Sequence, residues 1–304
     1  MLERVGVEHI DDLFEAIPEA DRFEGPLALE PALDEPRLMQ HLTTLADASA
    51  GPGMLSFLGG GMYRHHVPPA VDQLLLRSEF YTAYTPYQAE LSQGTLQAIF
   101  EFQTIVCELF GTDVANASMY DAASGAAEAV LMARRIKRRP EVLVSEALHP
   151  EYIDTIRTYI SGLDDDASIA LAPIAPDGRT DWEAARGLVT ERTAAVLVGY
   201  PNFFGCVEDL YAAKAVAEGQ GALLISATSD PYALSVLCAP EDCGADICVG
   251  VGQALAVPPQ DGGPGGGLFG ASQAFVRQMP GRLVGRTVDA DGEPGFVLTL
   301  STRE

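Results

Sequence analysis

Lysine is nearly absent from this 304-residue chain: of its 19 basic residues only Lys137 and Lys214 are lysines, and the rest are arginines. Primary-amine chemistry therefore has two candidate side chains. Lys137 lies in the basic run RRIKRR (134–139) and Lys214 in the helical stretch LYAAKAVAEG (210–219). Positive charge as a whole is scarce. The 43 acidic residues leave a formal net charge of −24 and a sequence pI near 4.4. A nucleic-acid binder needs a positive footprint for phosphate, so that class is excluded. Docking on an anionic membrane surface is excluded on the same ground. Cysteine is also sparse. The five thiols form no CxxC pair, and with no secretory leader at the start they read as reduced thiols of a cytoplasmic protein. Cys238, Cys243 and Cys248 recur every five residues, but all five histidines lie at position 149 or earlier. No metal site is expected, and the three thiols read as small buried hydrophobes. Apolar runs are short: AAVLVGYPNFFGCV (194–207) is broken by Pro and Asn and is too short to span a bilayer.

What is present is core-forming sequence. Hydrophobic residues make up 47% and charged ones 20%, the composition of a globular chain rather than a disordered acidic one. A carboxylate-rich, lysine-poor surface suits a salt-rich cytoplasm, so a halophilic source is expected. The first third reads as helical. Leu33, Leu38, Met39, Leu42 and Leu45 are spaced for one helix face over 33–48. SFLGGGMYRHHVPP (56–69) holds three Gly and two Pro, which marks a shaped loop. A helix is predicted over 92–111, with Gly111 as its C-terminal cap. Gln103 falls on the apolar face of that helix and needs a buried partner.

From residue 115 the pattern changes. Helices at 124–138, 150–161, 181–189 and 207–219 precede the apolar runs VLVSEA (142–147), SIALAPI (168–174), AAVLVGY (194–200) and ALLISA (222–227). ICVGVG (247–252), GLFGA (267–271) and GFVLTLS (295–301) follow as further strands. Short apolar strands alternating with amphipathic helices predict an α/β fold with a mostly parallel sheet covered on both faces. The expected division is an N-terminal helical arm with its loop segment over 1–90 and an α/β domain over 91–304.

Several segments could carry chemistry. DAASGAAEAVLMARR (121–135) is a small-residue turn opening a helix. It reads either as an anion cup at Ser124 and Gly125 or as a plain N-cap with tight packing. DGGPGGGLFG (261–270) has six Gly in ten, so its backbone can approach a phosphate or another backbone closely, although it matches neither a P-loop nor a dinucleotide fingerprint. YTAYTPYQ (81–88) sets Tyr84, Thr85, Tyr87 and Gln88 around a Pro, which suits either a small polar ligand or a packed loop. His65 and His66 are adjacent in the Gly-rich loop, where one can face a site and the other cap backbone. His149 in HPEY reads as structural. RRIKRR complements a helix C-terminus or forms a patch for an acidic partner.

The blocks SFLGGGMYRHHVPPAVDQLLLRSEFYTAYTPYQAELSQGTLQAIFEFQT, VANASMYDAASGAAEA, VLVSEALHPEY, YPNFFGCVEDL and MPGRLVGRTVD together resemble the glycine decarboxylase P-protein family of the glycine cleavage system. More narrowly, the chain is similar to subunit 1, the α chain of the two-subunit form. The resemblance runs from DDLFEAIP to FVLTLSTRE. It implies fold type I of the pyridoxal-phosphate-dependent enzymes and an α₂β₂ heterotetramer. It also implies decarboxylation of glycine, with the aminomethyl group passed to the lipoyl arm of H-protein. Such chemistry needs a Schiff-base lysine. By the resemblance, the lysine of the sister β chain corresponds here to Gln253 in GQALAVPPQDGGPG, so no catalytic residue is expected in this chain. The cofactor is expected on the partner β subunit. Tyr84, Thr85, Tyr87 and Gln88, with His65 or His66 nearby, are expected to line that partner-held site. The chain has DAASG where the family usually has DGATA, and AVPPQDGGPGGG where it has a GxPxxxGGP run. The family continues past TRE with a basic segment and a C-terminal domain, so the sequence is expected to be truncated relative to it.

Overall fold

A computed structural model of the chain describes all residues except 24, 50–53, 56, 58, 62, 164–165, 260–264 and 301–304. Two compact units result, Met1–Phe57 and Leu58–Glu304. The expected boundary lay at 90, whereas the loop segment that follows Phe57 belongs with the larger unit.

The first unit holds α1 (Leu2–Val5), two single 3₁₀ turns (Ile10–Phe14 and Glu19–Asp21) and α2 (Glu35–Ala48). Asp34 starts α2 where the spacing predicts it, its carboxylate accepting from the Arg37 amide at 3.0 Å. The apolar face of α2 forms as read, yet Leu38, Met39, Leu42 and Leu45 all stay exposed.

The second unit begins with the short helices α3 (Pro69–Leu75) and α4 (Ser78–Tyr81), then the long α5 (Gln93–Phe110). The core follows as β1 (Val114–Ala115), α6 (Ala122–Lys137), β2 (Glu141–Ser145), α7 (Pro150–Ser161), β3 (Ser168–Ala172) and α8 (Trp182–Arg186). It continues through β4 (Thr193–Gly199), α9 (Leu210–Glu218), β5 (Leu223–Thr228), β6 (Ile247–Val251), α10 (Gln253–Ala256) and β7 (Gly267–Ala271), and ends in the pair β8 (Leu283–Val288) and β9 (Pro294–Thr299). The main sheet has seven strands in the order β1-β7-β6-β5-β4-β2-β3. Neighbours from β6 to β3 are parallel, and β7 runs antiparallel between β6 and β1.

Alternation along the strands divides the core. Val144, Leu197, Ile225, Val249 and Phe269 face α6 and α7, while Leu143, Val196, Leu224 and Leu268 face α5 and α9. Helix α6 lies close on the sheet because Ala122, Ala126, Ala129 and Ala133 present almost no side chain. The β8–β9 hairpin is fixed to α5 by two glutamines. The Gln103 amide donates to the Val284 carbonyl at 3.0 Å and accepts the Val284 N–H at 2.8 Å. Gln93 does the same to Phe296 at 2.8 and 2.9 Å. Val284 is the buried partner that Gln103, on the apolar face of the helix, required. No helix among the described residues is long and apolar enough to cross a membrane.

Gly111 ends α5 in the left-handed conformation at φ 76°, and the Glu241 amide donates to the last carbonyl, that of Phe110, at 3.1 Å. The Glu241 carboxyl is pushed up to about 7, by burial first and then by Asp113, Asp242 and Asp246. The folded state therefore holds this proton more tightly than the unfolded chain, with its ordinary value of 4.5. Stability falls as pH rises from that value through about 7, because folding must then tolerate the ionised group. Glu241→Gln is expected to flatten this part of the curve, so urea midpoints of the two proteins should converge at low pH and separate towards neutrality.

Candidate active-site region

In a parallel α/β sheet, ligands gather beyond the carboxyl ends of the strands. Here the loops after β2, β4, β5 and β6 meet at that edge. His149 follows β2 and caps α7, its Nδ1 accepting from the Glu151 amide at 3.2 Å. That contact makes Nε2 the protonated nitrogen, and it donates to the Gly60 carbonyl at 2.7 Å. The ring stacks on Tyr152 at 5.1 Å and meets the edge of Phe203 at 4.9 Å. Burial and the neighbouring Asp121 push the Tyr152 phenol well up, so it stays neutral. Gly61, Tyr63, Pro201 and Ala227 complete the wall, and the space left is about 10 Å³. That is at most room for one water. His149 makes capping and packing contacts, and it sits at the centre of this edge.

The loop bearing Phe203 is shaped from beneath. Asn202 Oδ1 accepts the Phe204 and Cys206 amides at 3.0 Å each, and its Nδ2 donates to Glu208 at 2.8 Å. Glu208, 3% exposed, also accepts the Thr180 amide and hydroxyl, both at 3.0 Å. Ser145, at the end of β2, bonds the Thr180 hydroxyl at 2.7 Å. Donors alone hold this buried carboxylate, with no cation on it among the described residues. Glu208→Ala strands those donors and is expected to cost about 3 kcal/mol in denaturant unfolding.

The candidate residues fall into two places. His65 stands beside the end of β5, stacked on Tyr232 at 4.8 Å, with Nε2 3.9 Å from Asp230. That distance is too long for a hydrogen bond, and the nitrogen has no other partner. His66 is exposed. Thr85 and Pro86 instead line an open groove of about 510 Å³ with Ser118, Tyr120, Glu128 and Arg282. Arg282 donates to the Tyr87 hydroxyl at 2.8 Å and lies over its ring at 5.4 Å. Tyr84 is 85% exposed, and Gln88 is exposed beside it. Sequence reading missed Arg282, although MPGRLVGRTVD contains it. It also passed over Asp230 and Phe203, because a lone acid or aromatic in a loop carries no spacing signal.

Pyridoxal phosphate, the group implied by the resemblance, does not fit the residues at the strand ends. Gln253 begins α10, is 3% exposed, and turns its amide back to the Val257 carbonyl. It offers no amine. The space beside His149 admits no pyridine ring. The first free amides of α6 face their own acid: Asp121 accepts the Ser124 amide at 2.7 Å, and Ser124 Oγ bonds back to Asp121. A carboxylate there repels a phosphate. Gly125 packs on Val249. Of the two lysines, Lys214 is paired with Asp246 at 2.8 Å, on a helix and away from the strand ends.

The family model for the glycine cleavage system P-protein matches residues 1–304. A probable glycine dehydrogenase (decarboxylating) subunit 1 of Sorangium cellulosum is 55% identical, the match covering 100% of this chain and 68% of the relative. The protein of the same description in Anaeromyxobacter dehalogenans is 54% identical, with 100% and 68% covered. The crystal structure of a glycine decarboxylase (P-protein) of the glycine cleavage system, in inhibitor-bound form, superposes with a TM-score of 0.88 at 46% identity, covering 100% of this chain and 67% of that one. A sphingosine-1-phosphate lyase of Burkholderia pseudomallei superposes at 0.62 with 14% identity, covering 91% and 66%, and shares the fold alone. The architecture is fold type I of the pyridoxal-phosphate-dependent enzymes.

Proposed function

Because the chain belongs to the glycine cleavage system P-protein family, we propose that it works as the α half, without a Schiff-base lysine, of a two-chain enzyme whose β half holds the cofactor. Its relatives are described as glycine dehydrogenase (decarboxylating) subunit 1, and on that likeness it works as part of a heteromeric glycine decarboxylase. One observation carries the division of labour. The strand-end site has Gln253 in place of an amine, and its cavity is filled by the chain's own Gly60, Gly61, Tyr63, His149 and Phe203. Pyridoxal phosphate held by the partner would supply the electron sink for decarboxylation.

The rest of the proposal follows the chemistry left to this chain. The partner is subunit 2, the substrate is glycine, and the aminomethyl group goes to lipoylated H-protein, in the cytoplasm and within an α₂β₂ assembly. The uncovered apolar face of α2 supports such an assembly. The exposed loop of Tyr84, Thr85, Tyr87 and Gln88 presents hydroxyls and an amide to the partner-held site. There they orient the glycine carboxylate and exclude water, which protects a carbanion from stray protons. His65, beside Asp230 at the end of β5, and His66 stand apart from that loop and offer a second contact to the partner.

A second reading is a silent scaffold that only stabilises the β chain. The Tyr87 hydroxyl favours it, since Arg282 already occupies it. Tyr87→Phe in the assembled complex separates the two. Under the catalytic-face reading, turnover falls about tenfold while the eluted mass of the complex is unchanged. An unchanged rate selects the scaffold.

A further inference from the structure

The scarce positive charge of this chain gathers in one corner. Arg134, Arg135, Arg138 and Arg139 come from the end of α6 and the turn after it, and Arg192 joins them from the turn before β4. With Leu131, Pro140, Leu163 and the Asp166 carboxylate they line an open cavity of about 540 Å³. The corner lies at the N-terminal edge of the sheet, where β2 starts, opposite the strand ends described above. Its volume is in the range of small-molecule sites.

A helix C-terminus is complemented by one or two cations. Five guanidinium groups from two elements exceed that need, and their mutual repulsion is a cost that a bound anion offsets. Some of them are committed to structure. Arg139 donates to the Thr193 and Gln220 carbonyls at 3.0 and 2.7 Å, and Arg192 is held by Glu141 and Asp166. Others are barely used. Arg135 spends one nitrogen on the Gln278 carbonyl at 2.9 Å. The exposed Arg138 side chain makes no hydrogen bond or ion pair among the described residues. Each guanidinium has five N–H donors, so these two residues, three apart in sequence, keep forks to offer on one side of the cavity.

We propose that this corner binds a small organic phosphate of the nucleotide class, its phosphates on Arg135 and Arg138 and its flat or apolar part over Leu131, Pro140 and Leu163. The fork of arginine matches phosphate oxygens two at a time. The apolar floor and the guanidinium faces suit a planar ring. An acidic protein would need no such cavity, and inorganic phosphate would leave the floor uncovered.

Calorimetric titration of the chain with adenosine diphosphate, pyrophosphate and adenosine tests this. Adenosine diphosphate should bind several-fold tighter than pyrophosphate, and adenosine should show no binding over the same range. Arg135→Gln with Arg138→Gln should weaken adenosine diphosphate by about tenfold or more. Arg138→Gln alone, which removes no hydrogen bond or ion pair among the described residues, should weaken it in the same direction at an unchanged melting temperature. Equal affinity for pyrophosphate and adenosine diphosphate would overturn the nucleotide class. Affinity untouched by the double variant, or polyglutamate binding where neither phosphate does, would overturn the site itself.

Discussion

Mixed with pyridoxal phosphate, the isolated chain is expected to show no Schiff-base absorbance and to retain no cofactor through gel filtration. Adding the subunit 2 chain should give a larger species with a bound chromophore that responds to glycine. The expectation rests on three independent features. Gln253 has no nucleophilic nitrogen, and its amide is occupied by the Val257 carbonyl. The volume beside His149 is about 10 Å³. The start of α6 is capped by the Asp121 carboxylate where a phosphate would need free amides. Because the second and third features stand without the first, Gln253→Lys alone should not restore binding. Absorbance from the isolated wild-type chain would overturn the proposal and point to Lys214, which would first have to leave Asp246 and Glu218.

Periodicity made most of the fold legible. The six apolar runs from VLVSEA to GLFGA each became a strand of the main sheet, because runs that short and that apolar have no other way to bury both faces. The helix of Gln103 and its cap at Gly111 formed as spaced. What stayed illegible was decided by distant contacts. The strand β8 lies in MPGRLVGRTVD, whose alternation is weak, and it pairs only because β9 and Gln103 of α5 come to meet it. The antiparallel direction of β7 cannot be read from GLFGA, since its apolar pattern is the same in either sense. At the site, the scarcity of lysine was visible, and the resemblance set Gln253 at the expected lysine position. The plug was not, because it takes the Gly60 carbonyl, 89 residues away, to complete the contacts of His149. Buried Glu208 was hidden for the same reason: its donors come from residues 180 and 202.

Gly267→Ala should be among the most damaging single-atom additions in the chain. Gly267 exchanges hydrogen bonds with Met119 at 2.7 and 2.9 Å, which draws β7 against the entry to α6. A Cβ there would lie 2.5 Å from the Asp121 carbonyl oxygen and 2.6 Å from Met119 Cβ. The first of these is backbone, so no rotamer change relieves it, and either β7 or the capped start of α6 must move. A Cβ built on Gly265, two residues earlier, would also stand tight against Asp121, 3.3 Å from its Cβ. The glycine-rich run is thus spent, over its described part, on bringing one backbone onto another rather than on a ligand. The expected cost is about 3 kcal/mol, read as a melting temperature lowered by roughly 5–10 °C. Gly94 is the control. It sits in the first turn of α5 with nothing within 4 Å of its added Cβ, so Gly94→Ala should raise stability by about 0.5 kcal/mol through helix propensity and the unfolded chain. If the two alanine variants melt together, the close approach at Gly267 does not hold α6 in place, and the carboxylate cap that excludes a phosphate there loses its support.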